Sequence, residues 1–341
     1  MSVPIKKLRR QLHVSGIQML NGCGVQFMFR YELGIKLPPR SFIHKGTATH
    51  STVEQDLGVK MTTGELMKAT DVQDYAAEAF DSAQRKEPIE LAADEIAEGK
   101  TLQQVIDETR AEAQLLALLH HDKVAPSIEP IALSKKFSVK MDAFLKLRAK
   151  EMRAEADQIK ERDRSQAKML DAVATSLNSF ARDGIDFAGE WDIVEEKIAV
   201  RAALRKRIRD TKTTGKSPSN PSAEDKARGA TSAADDSEQL SGYALAHHVE
   251  YGTLPDDLVL DYLVITPKKK DTKYVPLYTT RDLDDVGVFL NRFVNAIHSI
   301  KTGVFVPAKA DDWRCSQKWC GYFDRCPYAK KPKLIQITSS I

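Results

Sequence analysis

Four cysteines divide unequally along this chain. Cys23 stands alone near the start, and Cys315, Cys320 and Cys326 crowd together near the end. If all four meet on one metal centre, the fold must bring its two ends together, with almost the whole polypeptide enclosed between them. Clustered cysteines in a reducing compartment serve more often as metal ligands than as disulfide partners. The opening stretch MSVPIKKLRRQLHVSG has no apolar core of signal-peptide length, and no run approaches the ~18 apolar residues of a membrane span. The expectation is an intracellular, soluble protein without a membrane partner.

At 341 residues and 42% hydrophobic, the chain can bury a sizeable core as a single elaborated domain over 1–341. Its formal net charge is only +3, from 51 basic and 48 acidic residues. A nucleic-acid surface must then be a local patch.

Residues 15–60 read as helical. Apolar spacing runs from Ser15, as its cap, to Leu33, and a second helix opens at Gly46 and passes through His50, Val53, Glu54 and Leu57. Residues 64–122 are dominated by helix formers. A core at 124–300 follows, in which PSIEPIALSKKFSVKM is half-alternating like a strand and 142–182 is a charged helical insertion. Further strands are expected at 187–194, 208–214 and 258–266. The 214–237 segment is rich in Gly, Ser, Ala and Pro and lacks large apolar residues, which predicts a mobile loop. Helices at about 237–250 and 282–300 precede the cysteine region at 310–328. The sum is α/β, a small central mixed sheet flanked by helices.

Two acids and a lysine stand out within this core. Mg²⁺ or Mn²⁺ takes hard oxygen ligands, commonly one or two carboxylates, with water and phosphate filling the rest. Asp192 and Asp210 can present such a pair from neighbouring strands. Residues two apart on a strand share a face, so Asp210 and Lys212 point into one site while Thr211 turns away and offers its carbonyl. Lys212 can then orient or deprotonate an attacking water, or neutralise charge on a phosphate. An isolated D-x-K triplet is weak evidence, because surface ion pairs have the same spelling. Glu195 and Glu196 are the alternative acids to Asp192.

Taken in order, these blocks resemble the RecB-like branch of the PD-(D/E)XK nuclease superfamily, including its CRISPR-associated and recombination-type exonucleases with an iron–sulfur cluster. A serine-led helix carries Cys23, and Gly46-Thr-Ala-Thr-His50 follows with Glu54 one turn on. Then come Gly189-Glu-Trp-Asp192, Asp210-Thr-Lys212-Thr213, Gln239-Leu-Ser-Gly-Tyr243 and the block from Cys315 to Cys326-Pro327. The resemblance implies a restriction-endonuclease-like core. It assigns His50, Asp192, Asp210 and the Thr211 carbonyl to a Mg²⁺ or Mn²⁺ ion, with Asp192, Asp210 and Lys212 as catalytic residues. Gln239 and Tyr243 would contact DNA and support the site, and Glu54 would steer His50 or a water.

Four thiolates satisfy a 4Fe–4S cube, whereas structural zinc prefers paired short knuckles. One remote and three local cysteines therefore favour an iron–sulfur staple, with zinc as the alternative. Trp313, Trp319, Tyr322 and Phe323 flank the cysteines and suit stacking of unpaired bases. Basic residues near the motifs (Lys36, Arg40, Lys45, Arg201, Arg205, Lys206, Lys330 and Lys331) can bind phosphates. The expected function is a metal-dependent deoxyribonuclease, an exonuclease acting on DNA ends or single strands in recombination, repair or phage and defence processing. The competing class is a non-catalytic nucleic-acid-binding or assembly protein that keeps the fold and the cluster.

Overall fold

The computed structural model describes residues 11–182, 184–198, 204–266 and 270–330. The chain begins with β1 (Gln11–His13), α1 (Val14–Gly22), α2 (Gly24–Phe27) and α3 (Ser41–Thr63). A helical region follows, with α4 (Ala69–Lys86), α5 (Ala93–Ala97) and α6 (Leu102–Lys123). Next come β2 (Pro130–Lys140), the hairpin α7 (Met141–Ile159) and α8 (Arg164–Ala181), and the strands β3 (Asp186–Ile198) and β4 (Leu204–Thr214). The last elements are α9 (Ala223–Ala227), α10 (Glu238–Tyr251), β5 (Asp257–Ile265), β6 (Thr272–Thr279) and α11 (Leu283–Thr302).

One mixed sheet of six strands runs β1-β3-β4-β5-β6, with β2 also on β3. The β1–β3 and β4–β5 pairs are parallel, and the others are antiparallel. The sequence LVLDYLVI of β5 shows little alternation because helices cover both faces of the strand. Leu258 and Leu260 join the main core with residues of α1, α10 and α11, whereas Leu263 and Ile265 join a second core with residues of α3 and α6. The expected α/β architecture is therefore present, and α7–α8 forms the helical insertion between two strands. Among the described residues no helix is long and apolar enough to cross a membrane.

Several boundaries differ from the sequence reading. The helix expected over 15–33 breaks at Cys23, whose extended backbone (φ −157°, ψ 100°) separates α1 from α2, and α1 starts after His13 with no side-chain cap. The break puts Cys23 at a corner where its thiol can face the C-terminal segment. The helix placed at Gly46 begins five residues earlier, at Ser41. The segment expected to be a mobile loop contains α9, and its C-terminal end is tied down. Ser232 and Ala234 are buried, and Asp235 accepts hydrogen bonds from the Ser232 amide and from Thr279 Oγ1.

Candidate active site and cysteine pocket

The site forms where strand pairing changes hands. β2 occupies one edge of β3 from Asp186 to Glu195. The other edge is shared, with β1 pairing to 186–188 and β4 pairing from Ile193 onward. Asp192 lies at the mouth of the gap, one step beyond the Ile193–Arg209 pair. Side-chain alternation also slips there. Trp191 and Val194 both face the main core, while Ile193 joins the core on the opposite face. Across the ladder, Ser134 sits between the pairs Leu133–Ile193 and Lys135–Trp191 with φ of 44°, a left-handed conformation uncommon outside glycine. This local kink aims Asp192 into a cleft of about 370 Å³ lined by Thr47, His50, Glu54, Ser134 and Glu190.

Asp192 Oδ2 lies 3.1 Å from the Thr211 amide and 3.2 Å from His50 Nδ1. A strand residue directs its N–H and C=O to the same edge. The Thr211 carbonyl therefore faces the same gap as the amide that binds Asp192. His50 comes from α3, and its imidazole is held above its ordinary value: burial pulls it down, but the Asp192 hydrogen bond and charge outweigh burial. Glu54 lines the same cleft one turn later on α3. Gly46 is not needed for close approach, since an added Cβ would sit 3.5 Å from Thr213 Oγ1, an ordinary contact.

Asp210 and Lys212 share the other side of the site. Lys212 Nζ lies 2.7 Å from Asp210 Oδ2 and 2.8 Å from Gln239 Oε1. Gln239 Nε2 donates to Asp210 Oδ1 at 2.7 Å and to the Tyr243 hydroxyl at 2.6 Å, and that hydroxyl lies 3.3 Å from Asp210 Oδ1. Burial pushes the Asp210 carboxyl up to about 6, opposed by Lys212 and reinforced by the nearby Asp192 charge. Burial alone would lower Lys212, but Asp210 and Asp192 more than compensate and raise it. Tyr243 is raised well above its ordinary value, by burial first and by Asp210 next, so its hydroxyl stays protonated.

The residues expected to hold a divalent ion are thus brought together in two hydrogen-bonded halves. Among the described residues, no three His, Cys, Asp or Glu side chains enclose a single-ion position as they stand. The donor set itself, two carboxylates, a carbonyl and an imidazole, suits Mg²⁺ or Mn²⁺.

Glu195, an alternative acid, lies on the opposite face. It is fully buried and accepts from Arg207 and Arg209, each at 3.0 Å. Arg209 also forms a two-pronged pair with Asp261 (2.7 and 2.8 Å) and reaches the Tyr274 hydroxyl. Sequence reading missed this network. Its one signal is Asp261 inside the apolar run of β5, since a buried carboxylate demands a buried cation. Arg281 was missed as well. It donates to the carbonyls of Ala234, Asp235 and Ser237 and to Ser241 Oγ, pinning the N-terminus of α10 just before Gln239.

Of the basic residues near the motifs, Lys45 is paired with Glu112 at 2.7 Å, and Arg40 donates to the Lys318 carbonyl at 2.7 Å. Lys206 stacks over Tyr251. Arg201 and Lys331 lie outside the described residues.

All four cysteines line one pocket, walled by Val25, Phe29, Tyr322 and Phe323. Two of the thiols receive N–H groups: Gln26 Nε2 lies 3.2 Å from Cys320 Sγ, and the Ala308 amide 3.4 Å from Cys23 Sγ. Burial first, and then the three neighbouring thiols, push Cys315 up. Two contacts close the ends of the chain over the pocket. The Gly24 amide bonds the Val306 carbonyl at 2.8 Å, and the Tyr322 hydroxyl bonds the Ile35 carbonyl at 2.8 Å. A Cβ at position 24 would meet the Val306 nitrogen at 2.8 Å, so only glycine permits this approach.

No curated protein and no solved structure shows a significant match to the chain. A sequence profile of the PD-(D/E)XK nuclease superfamily matches residues 11–327. That span runs from β1 to just past the last cysteine and includes both carboxylates, Lys212 and the helix carrying Gln239. By that match the chain belongs to the PD-(D/E)XK nuclease superfamily.

Proposed function

We propose that this protein is a Mg²⁺- or Mn²⁺-dependent deoxyribonuclease, an exonuclease working on DNA ends or single strands in recombination, repair or phage and defence processing. Superfamily membership makes phosphodiester hydrolysis the reaction and a nucleic acid the substrate. The observation that supports the reading is that Asp192 binds the amide of Thr211, the residue between Asp210 and Lys212, which pair with each other.

Asp192, Asp210, the Thr211 carbonyl and His50 would hold the ion, His50 as the neutral imidazole. When bound, such an ion polarises a phosphoryl oxygen and lowers the pKa of its water. Lys212 is kept charged by its acidic neighbours, so its role is to orient the attacking water and neutralise the scissile phosphate rather than to remove a proton. Gln239 fixes the ammonium, and Tyr243 donates toward the carboxylate that Gln239 also binds. Glu54 lines the same cleft one turn after His50 and can direct it or a water.

The four-thiol pocket supports a 4Fe–4S cluster as a structural staple for the two ends of the chain. Gln26 Nε2 and the Ala308 amide point N–H groups at the Cys320 and Cys23 sulfurs, the kind of donor that surrounds cluster thiolates.

The test is cleavage of end-labelled single- and double-stranded DNA with and without Mg²⁺. Metal-dependent loss of terminal nucleotides, abolished by Asp210→Ala and by Lys212→Ala, is the expected result. Binding without cleavage under every divalent metal would leave a non-catalytic binding protein instead.

A further inference from the structure

We propose that Trp313 and Trp319 form a stacking platform for unpaired bases, which delivers single-stranded DNA to the site built on α3. The inference rests on the nuclease reading for its substrate class, but its own evidence lies elsewhere on the molecule. Trp313 is 65% exposed and Trp319 51% exposed, although indole rings ordinarily bury most of their surface. Their rings meet edge to face at 5.7 Å, so the edge of one indole covers a face of the other while both rings keep the exposure given above. Lys318 Nζ lies 5.4 Å from the Trp319 ring and the Arg314 guanidinium 6.0 Å from the Trp313 ring.

Exposed aromatic faces beside cations are the chemistry that holds a single strand without reading its sequence. A protein partner would be expected to want a wider apolar patch around the rings. The groups over the rings are charged instead: Arg314, paired with Asp312, lies over Trp313 and Lys318 over Trp319.

The platform is also tied to the site. Arg40, the residue before α3, donates to the carbonyl of Lys318, next to Trp319. His50 lies ten residues further along, about 15 Å of helix at 1.5 Å per residue. Phe42, on the first turn between them, is 53% exposed. A strand stacked on the two indoles therefore has that length of helix to follow before it reaches His50.

The test uses intrinsic fluorescence. The only other tryptophan, Trp191, is fully buried, so exposed indole emission comes from this pair. The full-length protein, with a chelator present to prevent cutting, is titrated with oligo(dT) of about 16 nucleotides, the upper end of single-strand site sizes. The expected results are quenching on binding and about five- to 150-fold weaker affinity in Trp313→Ala or Trp319→Ala, largely restored by Trp→Phe. Blunt duplex of equal length should quench little. Unchanged affinity in both alanine variants overturns the platform, even if the enzyme cuts DNA. Quenching without any cleavage sustains the platform and sinks only the nuclease reading. Equal quenching by duplex assigns the surface to paired DNA and also overturns the proposal.

Discussion

The carboxamide of Gln239 meets the carboxylate of Asp210 at 2.7 Å while its other end holds Lys212 at 2.8 Å. One uncharged side chain thus fixes the spacing between the buried acid and the ammonium. A helix must place Gln239 within reach of β4, and Arg281 does so by anchoring the carbonyls that precede α10.

Gln239→Ala removes both contacts and leaves a buried carboxylate with fewer donors. Loss of an orienting contact of this kind typically costs 10–100-fold in metal affinity or activity, about the same range expected here. The fold should lose about 1–3 kcal/mol. Single-turnover cleavage and thermal melting check the two effects. A rate within twofold of wild type would remove Gln239 from the positioning role.

A second prediction concerns pH. Burial raises the Asp210 carboxyl to about 6 in the metal-free protein. Below that value its proton competes with the ion, and the raised His50 imidazole competes as well, so divalent-metal affinity should fall by more than about tenfold per pH unit between pH 6 and 4. Calorimetry in two buffers of different ionisation enthalpy would detect the proton released on binding. The sign for stability is opposite to that of a salt-bridged aspartate. A raised carboxyl favours the folded state fully below its unfolded value near 3.8, and that contribution is lost as pH rises through about 6. The metal-free protein should accordingly gain less from neutral pH than its other carboxylates alone would predict.

The back of the sheet predicts a different phenotype. Arg209, Glu195 and Asp261 are each no more than 2% exposed, and together they hold β3, β4 and β5 in register directly behind Asp210. Arg209→Ala removes the cation that the two buried carboxylates share, leaving Asp261 its Tyr274 hydroxyl and Glu195 its Arg207 contact, and should cost about 3–5 kcal/mol. Arg209→Lys keeps the charge but loses the fork that reaches both acids, and should recover only part of that loss. Urea unfolding distinguishes the two variants. Wild-type stability in Arg209→Ala would show that the network is dispensable.

Much of this arrangement could be read in advance, for identifiable reasons. The period of two on a strand places Asp210 and Lys212 together, and the four-residue helical spacing places Gln239 beside Tyr243. The cysteine groups announce a meeting of the chain ends. What escaped depends on partners distant in sequence. The slip of alternation at Asp192 arises because β1 and β4 share one edge of β3, with Ser134 distorted across from it. Nothing within 187–194 encodes that sharing. Likewise, the expected long first helix is broken at Cys23 where Gly24 binds the backbone of Val306, a residue nearly the whole chain away.

The cysteine pocket yields the last prediction. The segment from Phe305 to Tyr328 has little regular structure of its own, one short helical turn at Phe323–Arg325, and is held by the Gly24–Val306 bond, the Tyr322–Ile35 bond and stacking of Phe29 on Tyr322 at 5.3 Å. A small apolar cluster of Val25, Phe29 and Tyr322 packs there as well, and on the proposed reading ligation of the four thiols adds the larger part of the tether's stability. In Cys320→Ser, amides from 305 to 328 should exchange with solvent far faster, and limited proteolysis should cut there first. Amides of β4 and β5, which sit in the main cores, should keep their protection. Metal analysis of the intact protein should find iron and acid-labile sulfide, with visible absorption that disappears in the serine variant. A colourless protein containing zinc would keep the staple but change its chemistry. Undiminished protection of 305–328 in Cys320→Ser would show that packing alone closes the ends of the chain, and the thiols would then need another role.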